Sequence, residues 1–123
     1  MIRWLYLFKY PDGVPVEDGE RWYLNTHSQE AKRMAETGLV SYKTWKAIEA
    51  PFGIGRRSRD EVNEYKRVTE LVFPDWDAFK ASVIDSGIQY TAPAYGQHGF
   101  EAKTIFLPEE PEYDFLREIP PPQ

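Results

Sequence analysis

A single α+β domain is the fold class this sequence predicts, and three observations lead to it. The chain has 123 residues, the size of one domain. Apolar residues make up 41% and charged residues 28%, enough for a packed core and a wetted surface. Segments alternating every second residue and segments of helical period follow one another as strand, helix, strand, strand, helix, strand.

Ile2 to Tyr10 is rich in aromatic and aliphatic residues and is stopped by Pro11-Asp12-Gly13, which predicts a strand. One face carries Trp4, Tyr6, Phe8 and Tyr10, the other Arg3, Leu5, Leu7 and Lys9. Both are substantially apolar, so cover on both sides is expected. Pro15 to about Glu36 reads as a helix. Pro15 suits a first turn, Glu17, Asp18 and Glu20 suit the positive end of the helix dipole, and Lys32 and Arg33 suit the other end. Tyr23, His27, Ala31 and Met34 fall on one stripe, and Gly38 is a natural stop. Gly19 weakens the first turn without a reason visible in the sequence.

Leu39 to Ile48 reads as a second strand, and 49–64 as a loop with two glycines and three arginines. Tyr65 to Phe73 is a third strand, with Tyr65, Arg67, Thr69, Leu71 and Phe73 opposite Lys66, Val68, Glu70 and Val72. Asp75 caps a second helix running to about Ser86, with Gly87 beyond it. The segment 88–99 is irregular, and Phe100 to Leu107 is the last strand. This βαββαβ order is the split-βαβ, ferredoxin-like arrangement, a four-stranded antiparallel sheet with two helices on one face. The other sheet face is expected to be aromatic and to find cover in a homodimer.

Residues 1–108 form the expected domain and 109–123 a Pro-rich acidic tail. That tail holds five acids and one base, net −4, so of the chain's −5 only about −1 belongs to the domain. Its Tyr113, Phe115, Leu116 and Ile119 are expected to anchor on a partner subunit. The acidic balance argues against a nucleic-acid partner held by phosphate contacts. No apolar run is long enough to span a membrane, and the N-terminal stretch, with Arg3 and Lys9 inside it, does not read as a signal peptide. With no cysteine, disulfides, thiol catalysis and Cys-based metal sites are excluded. A cytoplasmic location is expected.

Three residues are candidates for chemistry. His27 lies on the helix stripe that should face the sheet, and imidazole can take or give a proton near neutrality without a cofactor. The alternative is a core or surface histidine bonded to a nearby carbonyl, the commoner role of such a residue. Glu70 sits between Val68 and Val72; buried there, it would be a proton shuttle, or else a structural or exposed acid. His98, in Gly-Gln-His-Gly, is the third, although lone loop histidines are commonly solvated. Tyr6, Phe8, Tyr23, Tyr42, Trp45 and Tyr65 are expected as substrate-pocket walls or as core. A metal on His27, Glu30, Glu70 and His98 is weakly supported, so no metal and no cofactor is expected. The 53–59 loop lacks the lysine and the strand–turn–helix setting of a phosphate loop.

Trp22-Tyr-Leu-Asn-Thr-His27, then Gly38-Leu39-Val-Ser-Tyr42, then Val68-Thr-Glu70-Leu-Val-Phe73 and Asp77-Ala-Phe79 resemble the EthD-type branch of the dimeric α+β barrel superfamily. The resemblance covers roughly residues 1–108. It implies a homodimer whose sheets close a barrel, and a family role for the helix histidine at His27 and the strand glutamate at Glu70. The chain has His27-Ser28-Gln29 where the family usually has His-Ala-Pro, and Gly19 where it usually has Phe. Isomerases, cyclases and cofactor-free monooxygenases occur among such relatives. The expected function is therefore cofactor-free acid/base chemistry, of isomerase, cyclase or lyase type, on a compact aromatic, quinonoid or lactone-like metabolite. A cofactor-free monooxygenase and a non-catalytic ligand-binding protein are the alternatives.

Overall fold

The structure, a computed structural model, describes residues 1–117. Strand β1 (Ile2–Lys9) leads into helix α1, a continuous right-handed run through Val16–Trp22, a π-helical turn Tyr23–His27, Ser28–Ala31 and a 3-10 end Lys32–Thr37. Strand β2 (Ser41–Lys46), the one-turn helix α2 (Arg59–Val62) and strand β3 (Arg67–Phe73) follow. Helix α3 begins at Trp76–Phe79 and continues as a π-turn over Lys80–Ile84, and β4 spans Glu101–Pro108. The sheet order is β2-β3-β1-β4 with every pair antiparallel, the ferredoxin-like arrangement.

The register sorts the two faces. Trp4 pairs with Leu71 and Phe106, Tyr6 with Thr69 and Thr104, and Phe8 with Arg67 and Ala102. These residues point toward the helices, where Tyr23, Ala31 and Met34 of α1 meet Phe8, Leu71 and Phe73 in the buried core. The opposite face carries Leu5, Leu7, Val68, Val72, Trp45 and Ile105, interleaved with Arg3, Lys43, Glu70 and Lys103. The expectation of an aromatic open face is corrected here: the rings gather on the helix side, and Trp45 is the aromatic that the three registers leave outside. Large rings bury most area in a core two layers thick, whereas the open face is filled by aliphatic and charged side chains.

Sequence reading and structure differ in two other places. The loop 49–64 contains α2, whose Ser58 accepts from the Glu61 amide while the Glu61 side chain accepts from the Ser58 amide. That reciprocal capping box was legible as Ser-x-x-Glu. Both long helices also hold a π-turn, each adding a residue to a turn.

The glycine at position 19 has a packing reason. A Cβ there would overlap the ring of Tyr10, which is buried against α1 and donates its hydroxyl to Glu20. Alanine in a helix is worth about 1 kcal/mol over glycine, but overpacking costs about 1–3 kcal/mol. Gly19→Ala is therefore expected to lower the melting temperature. A rise would show that Tyr10 moves aside freely. Gly38 ends α1 at φ 127°, and a Cβ added there would run into the Ala78 side chain of α3, so the two helices meet at a position that a side chain would obstruct.

Beyond β4, Tyr113 stacks on Phe115 (6.1 Å between ring centres), while Phe115 and Leu116 remain exposed within the single chain. Ile119, the remaining expected anchor, lies outside the described residues. No helix among the described residues is long and apolar enough to cross a membrane.

Candidate functional site

Between the sheet and the helices lies a cavity of about 230 Å³. Its floor is Trp4, Tyr6 and Leu71; α1 contributes His27, Ala31 and Met34, α3 contributes Val83, and Tyr90 and Phe100 close it from the irregular segment before β4. Ala102 and Thr104 complete the wall and are exposed, so the cavity opens past β4. The π-turns explain two of these positions. The turn at Tyr23–His27 keeps both Tyr23 and His27 on the sheet side, and the turn at Lys80–Ile84 contains Val83.

His27 is packed among rings. Tyr90 stacks on it at 5.0 Å and 29°, Tyr23 at 5.5 Å and 24°, and Phe100 meets it edge-on at 5.6 Å and 83°. Its Nδ1 is buried without a hydrogen-bond partner among the described residues. Burial in this apolar setting pushes the His27 pKa below the ordinary histidine value; the nearby Glu30 carboxylate opposes the shift. The imidazole is thus neutral at physiological pH and available to take up a proton.

The roof is clasped to α1. Glu30 accepts from the Thr91 amide (2.9 Å) and from its hydroxyl (2.7 Å), and the Trp22 indole N–H donates to the Thr91 carbonyl at 2.9 Å. Those two bonds hold the Glu30 carboxyl below its usual range. Tyr90, one residue away, is thereby kept over His27.

Behind the cavity floor runs a buried polar network. Tyr23 Oη lies 2.6 Å from Thr69 Oγ1, 2.9 Å from Tyr42 Oη and 3.4 Å from Tyr6 Oη. It continues to Ser28 on one side and, through Thr44, to Arg67 on the other. Arg67 is itself buried and paired with Glu20 at 2.8 Å.

His27 and Glu70 do not share a site. His27 meets Tyr6 and Leu71 over the helix-covered face of the sheet, whereas Glu70 alternates with Thr69 and Leu71 and lies on the open face, ion-paired with Arg3. A strand sends successive side chains to opposite faces, so the His27–Glu70 proton pair is withdrawn. His98 is exposed and is not part of the cavity wall. Of the six expected pocket aromatics, Tyr6 lines the cavity. Phe8 and Tyr23 are fully buried core, and Tyr42 stands behind Tyr23. Trp45 is on the open face, and Tyr65 borders separate clefts with Lys103 Nζ 5.8 Å above its ring. The sequence reading missed Trp4, Tyr90 and Phe100 as walls. Trp4 shared a strand face with Tyr6 and could have been found; Tyr90 lies where no periodicity signals a direction. Among the described residues no three His, Asp or Glu side chains are grouped to hold a metal.

The depressed His27 pKa has a stability consequence. Near and below pH 6.5 the unfolded chain binds a proton at this site that the folded chain resists. The stability is therefore fully present above about pH 6.5 and is lost as pH falls toward the folded pKa. Wild type is expected to lose melting temperature between about pH 7.5 and 5.5 that His27→Gln does not lose. Parallel curves for the two proteins would contradict the assignment. Glu30 titrates below this window.

No protein-family model matches the chain, and no curated protein matches it.

Proposed function

We propose that the cavity beside His27 binds a compact aromatic, quinonoid or lactone-like metabolite, and that His27 handles a proton on it without metal or organic cofactor. The observation that carries this reading is an imidazole set among ring faces on the wall of a 230 Å³ cavity. A cavity of about 150 Å³ accommodates benzene, so this one suits a substituted single ring or a small bicycle. A neutral imidazole base needs no cofactor for proton transfer at a carbon or oxygen of such a ring. Isomerase, cyclase or lyase chemistry fits that arrangement, within the EthD-type branch that the ordered motifs resemble. A ligand-binding role without turnover is the second reading, favoured by the lack, among the described residues, of a carboxylate hydrogen-bonded to His27 Nδ1. Pull-down of a metabolite mixture by the wild-type protein, then incubation of each captured compound with it, tests both. Captured aromatic compounds that are converted support the enzyme; captured and unchanged compounds support the binding role; capture of non-aromatic compounds alone contradicts the site.

The same reading includes a homodimer in the cytoplasm. The open face presents Leu7, Trp45 and Ile105 with substantial exposure, and Leu5, Val68 and Val72 between them. A second copy is the natural cover for such a face, and the exposed Phe115 and Leu116 would anchor on it. Sedimentation at micromolar concentration is expected to give twice 14.4 kDa. Removal of residues 109–123 is expected to lower the melting temperature of that dimer. A clean monomer would remove the barrel, and an unchanged melting temperature would remove the tail's docking.

A further inference from the structure

The buried hydroxyls behind the cavity can be assigned a direction by counting protons, since each hydroxyl has one to give. Thr44 donates to the Val68 carbonyl at 3.2 Å. It must therefore accept from Arg67, which can only donate (3.1 Å), and from Thr69 (3.0 Å). Thr69 has then spent its proton, so in the 2.6 Å contact Tyr23 donates and Thr69 accepts. Tyr23 has in turn spent its own. In its contacts with Tyr42 at 2.9 Å and Tyr6 at 3.4 Å it is the acceptor.

Tyr6 stands apart in this chain in two ways. It is the member that lines the cavity. Its contact with Tyr23 is also the longest, beyond the usual O–H···O range, so its proton is weakly committed. Burial, with Tyr23 and Tyr42 close by, holds its phenol far above the ordinary tyrosine range, which keeps the proton on oxygen. The Tyr90 and Thr104 hydroxyls on the same wall are exposed and have water to bond.

We propose that Tyr6 is the second ligand-contact group of this site, donating its hydroxyl proton to an oxygen acceptor, a carbonyl or a phenolate-like oxygen, on the bound ring. The inference rests on the cavity's being the ligand site, and it narrows the ligand to rings that carry such an oxygen. Tyr23 has no proton to return, so the Tyr6 donor faces no competing donor from behind.

The test uses acetophenone and ethylbenzene as probes, which differ by a carbonyl in place of a methylene. Wild type is expected to bind acetophenone about tenfold more tightly, the usual worth of one buried hydrogen bond. With ¹³C-labelled carbonyl, the bound probe's stretch should move to lower frequency. Tyr6→Phe keeps the ring and is expected to cut the preference at least about threefold and to return the stretch toward that in an apolar solvent. Tyr23→Phe removes the 3.4 Å partner of Tyr6, along with the Thr69 and Tyr42 contacts of the same hydroxyl, but leaves the Tyr6 hydroxyl in place and is expected to keep both signatures. No preference in wild type, or a preference and stretch unchanged in Tyr6→Phe, would overturn the role of Tyr6 while leaving the cavity as a ligand site. If neither probe binds wild type, the site reading itself falls, and this inference with it.

Discussion

His27→Gln is expected to leave the fold and the oligomeric state intact and to lower turnover of the metabolite by about a hundredfold or more, the usual scale for losing a general acid or base. Glutamine approximates the size of the imidazole and keeps a donor and an acceptor, so ligand binding should weaken far less than turnover. Its amide cannot carry a proton at neutral pH. The wall around position 27 is made of Tyr90, Tyr23 and Phe100 ring faces, which glutamine can still fill. Steady-state kinetics that separate kcat from KM read this directly. Full turnover in His27→Gln would remove His27 as the proton carrier while leaving the protein an enzyme. Glu70→Gln is expected to leave turnover unchanged, because its carboxylate lies on the other face of the sheet with Arg3.

The largest effect on stability is expected from Arg67→Met. Arg67 is 6% exposed, donates to Glu20 and Thr44, and lies 5.9 Å over the Tyr23 ring. Methionine would fill much of the volume but would leave the Glu20 carboxylate buried with, among the described residues, only Tyr10 donating to it. Removing one partner of a buried ion pair costs about 3–5 kcal/mol, against a total stability of about 5–15 kcal/mol for a domain. Urea unfolding should show the loss, and Glu20→Gln combined with Arg67→Met should recover part of it by removing the stranded charge. A loss below about 1 kcal/mol would mean that the pair behaves as a solvated surface bridge.

How far the sequence could be read depends on whether one face of each element was unambiguous. In β1 the residues Trp4, Tyr6 and Phe8 alternate with Arg3 and Lys9, and the alternation matches the observed faces. In β3 it does not decide. Val68 and Val72 look like the inner face, yet Arg67 and Thr69 are the buried ones, because Glu20, Thr44 and Tyr23 satisfy them. Those partners come from distant parts of the chain, so a local pattern cannot supply them. Glu70 is buried too, but on the outer face and ion-paired with Arg3, so of its two readings the structural acid holds and the cavity proton shuttle does not. The α1 stripe through Tyr23, His27, Ala31 and Met34 was legible despite the π-turn. The roof was not: Tyr90 and Phe100 flank an irregular segment fixed by the Thr91 clasp to Glu30 and Trp22.

The central claim is that the cavity beside His27 is the ligand site, and the chain's two histidines make it measurable. In protein carrying labelled histidine, the imidazole resonances of His27 and His98 can be followed together by NMR as acetophenone is added. The account predicts a saturable shift of the His27 ring signals while those of the exposed His98 stay in place. Movement of His98 with His27 unmoved, or no saturable change at either ring, would contradict it.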